Sequence, residues 1–178
     1  MIVREGSFLF DFSAAVSWER LDEMGRSIPQ GMAMADFFVE ERSRLLLIEV
    51  KDPFSEAGQK SSKRQEVENL FRIDRLIHQS LVPKARDSYT YLHLMGKDTK
   101  PVLYIVLIGF DRIGFEPAFG IVMKDRLLSR LRREAHRPWI RDYIADCLVL
   151  DPENWSWTFP QYPLVRLRRE TDEEDPEI

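Results

Sequence analysis

Hydrophobic and polar positions change period several times along the chain, and each change predicts an element. Residues 7–12 (SFLFDF) alternate loosely and predict a short strand. Over residues 13–24, Ala14, Ala15, Trp18 and Leu21 recur at helical spacing, with Ser13 placed as N-cap, and predict a helix. A turn at 26–31, marked by Pro29 and Gly31, leads into two apolar runs, 34–40 (MADFFVE) and 45–51 (LLLIEVK). The four residues between those runs suit a hairpin. A polar loop at 52–62 gives way to a helical stripe of Val67, Leu70, Phe71, Ile77 and Leu81, which the pattern ends at Pro83. A second helical piece follows as far as Leu94. Residues 102–108 (VLYIVLI) are continuously apolar and β-branched, as in a central strand covered on both faces. Leu127, Leu128 and Leu131 mark a further helix, 143–150 (YIADCLVL) another buried strand, and 164–167 a short edge strand. The order predicts an α/β domain with a mixed central sheet flanked by helices.

Length and composition fit that picture. The 178 residues are 44% hydrophobic and 31% charged, a balance for one folded domain, assigned here to residues 1–169. No apolar run approaches the roughly 20 residues of a membrane span, so no membrane partner is expected. Arg4, Glu5 and Asp11 interrupt the first twelve residues, which do not read as a signal peptide. Cys147 is the sole cysteine and there are three histidines, which argues against a disulfide framework or a zinc centre built from them. The expected compartment is the cytoplasm.

The net charge of −4 conceals an uneven distribution. Residues 170–178 hold six of the 30 acids and no base, leaving 24 acids against 26 bases in the body. That acidic tail is expected to be disordered. Residues 124–141 carry seven bases against two acids, among them Arg130, Arg133 and Arg137, and Lys63 and Arg64 belong to a smaller cluster. Such stretches suit a phosphate backbone, with a solvated helix face as the alternative use. His78 and Asp74, one turn apart, read as a half-buried pair, and Trp139, Trp155 and Trp157, with Phe159 and Tyr162, as a cap on the end of the sheet, with stacking on bases as the alternative use. Residues 109–114 (GFDRIG) lack the lysine and spacing of a phosphate-binding loop.

The chemistry concentrates elsewhere. Glu49 and Lys51 are two apart in a strand, so they share a face, and they close a run that should be buried. Charges placed there are costly unless paired or bound to a metal. If the preceding strand pairs with this one, Asp36 lies beside Glu49. Two carboxylates with a lysine suit a hard divalent cation such as Mg²⁺ or Mn²⁺.

Asp36, followed after twelve residues by Glu49-Val50-Lys51, resembles the metal site of the PD-(D/E)XK nuclease superfamily, which has the restriction-endonuclease-like fold. The resemblance covers roughly residues 13–108, with Ala35 where the family has proline. It implies that Asp36 and Glu49 bind metal and that Lys51 assists the hydrolytic water. Many members add a glutamate from the first helix, for which Glu19 ranks ahead of Asp22 and Glu23. Gln65 is the one well-placed polar candidate on the following helix. The family strand between first helix and aspartate strand has only 25–33 to form it here, unless 7–12 supplies that edge. The expected function is a metal-dependent phosphodiesterase acting on nucleic acid, with DNA ahead of RNA. The alternative is a non-catalytic nuclease-like module that binds nucleic acid or a partner protein. So small a domain leaves recognition to a homodimer or a partner subunit.

Overall fold

A computed structural model describes residues 1–23, 31–52, 73–109, 117–134 and 136–167. Lys63, Arg64, Gln65, the first part of the predicted long helix and the acidic tail lie outside the described residues.

The main sheet has five strands in the order β3 (Ser17–Arg20), β4 (Phe37–Glu40), β5 (Leu45–Lys51), β6 (Val102–Ile108) and β9 (Asp146–Leu150). The first three form an antiparallel meander, and β5, β6 and β9 run parallel. Parallel neighbours need crossovers. Helix α1 spans 73–94 between β5 and β6, and α2 (Pro117–Leu131) lies between β6 and β9. Both pack on one face, where Ile77, Leu81, Ala85 and Leu92 of α1 and Met123, Leu127 and Leu131 of α2 meet Leu45, Leu47, Tyr104 and Val106.

The opposite face carries Phe37, Val39, Leu46, Ile48, Ile105 and Leu107. A three-stranded sheet of β1 (Ile2–Glu5), β2 (Phe8–Asp11) and β10 (Leu164–Arg166) covers it, through Phe8 and Phe10 of β2 and the adjoining Phe12. Helix α3 (Pro152–Thr158) adds Trp155 to that layer, with Phe159 and Tyr162 just beyond. The Trp155 indole N–H donates to the Tyr162 carbonyl at 2.9 Å, so this large ring is buried with its polar atom satisfied. A two-residue ribbon, β7 (Arg133–Glu134) with β8 (Arg137–Pro138), follows α2. The described architecture is therefore mixed α/β: two helices, a five-stranded mixed sheet, and a small sheet with a short helix.

Three expectations change. Residues 13–16 are turn and bend and 17–20 are strand, so no helix starts at Ser13. Trp18 alternates with Ser17 and Glu19, and its ring packs on Phe12 and Phe37; cross-strand packing outweighs a four-residue helical coincidence. It is this strand, rather than 7–12, that supplies the edge beside β4. The third change is at Pro83, which does not end α1. An α turn (Ile73–Leu76) passes into a π segment (Ile77–Leu81) and then into the α-helix Val82–Leu94. The Val82 N–H reaches the Ile77 carbonyl five residues back, a wider turn that takes the proline ring just after it.

Candidate active site

Asp36 sits one residue ahead of β4. The β4–β5 register pairs Phe37 with Ile48, and its continuation puts Asp36 opposite Glu49. Strand alternation turns Glu49 and Lys51 to the same face as Leu45 and Leu47, which is the face under α1. The three residues singled out from the sequence are thus brought together at the C-terminal end of β5.

Both carboxylates are buried, Glu49 wholly and Asp36 to 4% exposure. Asp36 Oδ2 accepts the Val50 N–H at 2.6 Å, which ties the residue to the neighbouring strand. Lys51 Nζ lies 2.7 Å from Glu49 Oε1. A second lysine, which no sequence motif singles out, completes the group. Lys84 Nζ lies 2.8 Å from Glu49 Oε1, 2.9 Å from Glu49 Oε2 and 3.5 Å from Asp36 Oδ1. Its ammonium therefore spans both carboxylates. Glu49 Oε1 faces two cations, yet neither donates a well-directed hydrogen bond to it; the contact is held by charge. Each lysine side chain keeps 23% exposure, so solvent reaches the site along them.

Helix α1 places Lys84 accurately because the same helix holds the approach to Asp36. One turn on, Asp87 accepts the Ala33 N–H at 2.9 Å and Ser88 accepts the Ala35 N–H at 2.8 Å. Both side chains are buried, and positions 84, 87 and 88 share one side of the helix. The signal is present in the sequence. Ile77, Leu81, Ala85, Ser88 and Leu92 keep helical spacing straight through Pro83, and all are fully buried.

Burial, with the charge of Glu49 beside it, pushes the Asp36 carboxyl up to about 8 against the opposing pull of Lys84 and the Val50 N–H. Burial alone would lower Lys84, but the charges of Glu49 and Asp36 outweigh it and the ammonium is held above its ordinary value. Glu5, reaching over from β1, is raised by burial first, against the pull of Arg20, with Asp22 and Glu49 adding to the rise. Glu49 and Glu5 thus both raise Asp36, while Lys84 opposes them.

Asp36 and Glu49 are hard oxygen donors of the kind Mg²⁺ and Mn²⁺ take, and such ions keep several waters and need only one or two protein carboxylates. They fit a divalent cation in donor chemistry, with Lys84 spanning the place between them. Among the described residues no group of three His, Cys, Asp or Glu is gathered to hold a metal.

Glu19 departs from expectation. It lies on a strand, its carboxylate pairs with Lys97 at 2.6 Å, and it lines a groove with Ser17, Phe38, Glu40 and Thr99 rather than with Asp36 and Glu49. Asp22 comes nearer in effect: it pairs with Arg20 at 3.1 Å, and its charge acts on Lys84. Glu23 is exposed. Asp74 pairs with Arg126 at 3.6 Å and His78 is exposed, so they are not a half-buried pair. Trp139 and Trp157 are exposed, while Trp155, Phe159 and Tyr162 cap the sheet.

Of the basic stretch, Lys124 pairs with Asp146 at 3.4 Å and Arg132 donates to the Ala145 carbonyl at 2.9 Å. Arg130, Arg133 and Arg137 are exposed. The first two line a groove of about 540 Å³ with Arg126, Ser129 and His136, and also with Asp74 and Asp125.

No family model, curated protein or solved structure matches the chain. The functional reading therefore rests on the site itself. Among the described residues no helix is long and apolar enough to cross a membrane.

Proposed function

We propose that the protein is a divalent-cation-dependent phosphodiesterase that hydrolyses nucleic acid, DNA being the first substrate to test, on a restriction-endonuclease-like core. The observation that carries the reading is the convergence of Asp36, Glu49 and Lys51 on one sheet face, with Lys51 Nζ 2.7 Å from Glu49 and partly open to solvent. The core in question is β3 to β6 with α1: an antiparallel meander whose third strand ends in Glu-Val-Lys, then a helix, then a parallel strand.

Asp36 and Glu49 would hold Mg²⁺ or Mn²⁺, which when bound supplies Lewis acidity to the phosphate. Lys51 is positioned by Glu49 to orient or deprotonate the attacking water and to steady the charge that builds on the phosphate. Water adds to phosphorus, one ester P–O bond breaks, and the departing oxygen takes up a proton. Burial of both carboxylates strengthens each of these interactions relative to open water.

Arg130, Arg133 and Arg137 are the proposed backbone contacts. Neutralising all three should weaken binding on every sequence and flatten its salt dependence, by about 0.9 in log–log slope for each phosphate that is no longer neutralised on duplex DNA. A salt titration of binding measures this, and an unchanged slope would return the stretch to a solvated surface.

A second reading is favoured by one observation. Lys84 already supplies a positive charge between the carboxylates, as a non-catalytic nuclease-like binding module would need for stability. Incubating linear and circular DNA, and then RNA, with the protein in Mg²⁺, in Mn²⁺ and in chelator separates the two. Cleavage that disappears with chelator supports the enzyme. Binding without cleavage under every condition supports the module.

A further inference from the structure

The position of Lys84 says how a cation would enter this site. Its ammonium lies within 2.9 Å of both Glu49 oxygens and 3.5 Å from Asp36, so it covers the carboxylate atoms that face one another. Asp36 Oδ2 is committed to the Val50 N–H, and Glu49 Oε1 is shared with Lys51. Little carboxylate surface remains on which a divalent ion could sit while Lys84 stays in place. The helix bearing Lys84 is pinned through Asp87 and Ser88, whereas the lysine side chain is long and keeps a partly exposed path to solvent.

We propose that Lys84 is an internal counter-ion that occupies the cation position and must be displaced before a divalent metal ion binds Asp36 and Glu49. The inference rests on the metal-site reading given above and adds the residue that regulates it. Two buried carboxylates cannot both be ionised side by side without positive charge between them. Lys84 provides that charge when no metal is present, and it thereby sets the metal concentration at which the site loads. Loading replaces the ammonium, and the proton that Asp36 holds below about pH 8, with the divalent ion, and the ammonium swings toward solvent.

Two measurements on the full chain test it, with Mn²⁺ as the probe. Lysine-selective acylation read by mass spectrometry should find Lys84 slow to react in chelator and several-fold faster in saturating Mn²⁺, while Lys100, paired with Glu40 away from the site, reports no change. Titration of Mn²⁺ followed by its electron paramagnetic resonance signal should show Lys84→Met binding about tenfold tighter or more than the wild type, because a unit charge in contact range has been removed. Mn²⁺ bound by the wild type with Lys84 reactivity unchanged overturns the proposal. So does a folded Lys84→Met protein that binds Mn²⁺ no more tightly than the wild type. The labelling arm needs no variant, so it decides even if Lys84→Met fails to fold. Cleavage measured on the same samples keeps the two ideas apart. Mn²⁺-driven release of Lys84 without cleavage removes the nuclease and leaves the counter-ion, and cleavage with Lys84 unmoved does the reverse.

Discussion

Lys51→Ala is expected to lower kcat for nucleic-acid cleavage by about a thousandfold, the scale for losing one positioned group that moves a proton or stabilises charge in the transition state. KM and nucleic-acid affinity should barely change, since one side chain adds little to a footprint of many phosphates. The fold should survive as well. Glu49 would still face Lys84 at 2.8 and 2.9 Å, so no buried carboxylate is left without a cation. Single-turnover cleavage beside a binding titration checks this. A variant that cleaves at the wild-type rate removes Lys51 from the chemistry. One that loses binding and cleavage together makes it a contact residue.

The second expectation concerns stability in the metal-free protein and runs through Asp36. Its carboxyl is raised to about 8, by burial and by Glu49, from an unfolded value near 3.8. Between those limits the unfolded chain has released the proton and the folded chain has kept it. Stability associated with Asp36 is therefore fully present below the unfolded value and is lost as pH rises toward 8. After side-chain and solvent relaxation this dependence should amount to about 1–3 kcal/mol. Asp36→Asn removes the charge and keeps an oxygen for the Val50 N–H. It should be more stable than the wild type by about that amount at pH 8 in chelator, and nearly equal to it below about pH 4. Denaturant midpoints at several pH values measure the gap. A gap that does not vary with pH would mean that Asp36 is ionised throughout, neutralised by Lys84. Excess Mn²⁺ should favour the wild type instead, because the aspartate is then a ligand.

How much of this is legible in the sequence differs from element to element. The apolar run of β6 reads as a central strand covered on both faces, and all seven residues are buried between β5 and β9. The β4–β5 hairpin is also plain, since its strands and turn are continuous in sequence. Local pattern fails at 13–24 because Ala14, Ala15, Trp18 and Leu21 satisfy helical spacing by accident, while the pairing that makes Ser17–Arg20 a strand comes from β4, well downstream in the chain. Glu19 is misplaced with it. On a strand its carboxylate meets Lys97, a partner 78 residues away that no local pattern announces.

What the sequence determined by itself was the face on which the chemistry lies. Strand period is two, so Glu49 and Lys51 had to share a side and Val50 had to take the other, whatever the rest of the chain did. Adding one hairpin placed Asp36 opposite Glu49. Lys84 was decided only in three dimensions. A proline rule ends the helix at Pro83, just short of Lys84, and the π segment that carries the helix past that proline is a property of backbone hydrogen bonding, not of composition. Even with α1 continuous, nothing local says which strand ends its side chains reach. The bonds from Ala33 to Asp87 and from Ala35 to Ser88 settle that, because they fix the helix against the segment entering β4 and so turn Lys84 onto the two carboxylates. Periodicity orients a side chain about its own element. Only packing between elements decides which charges meet.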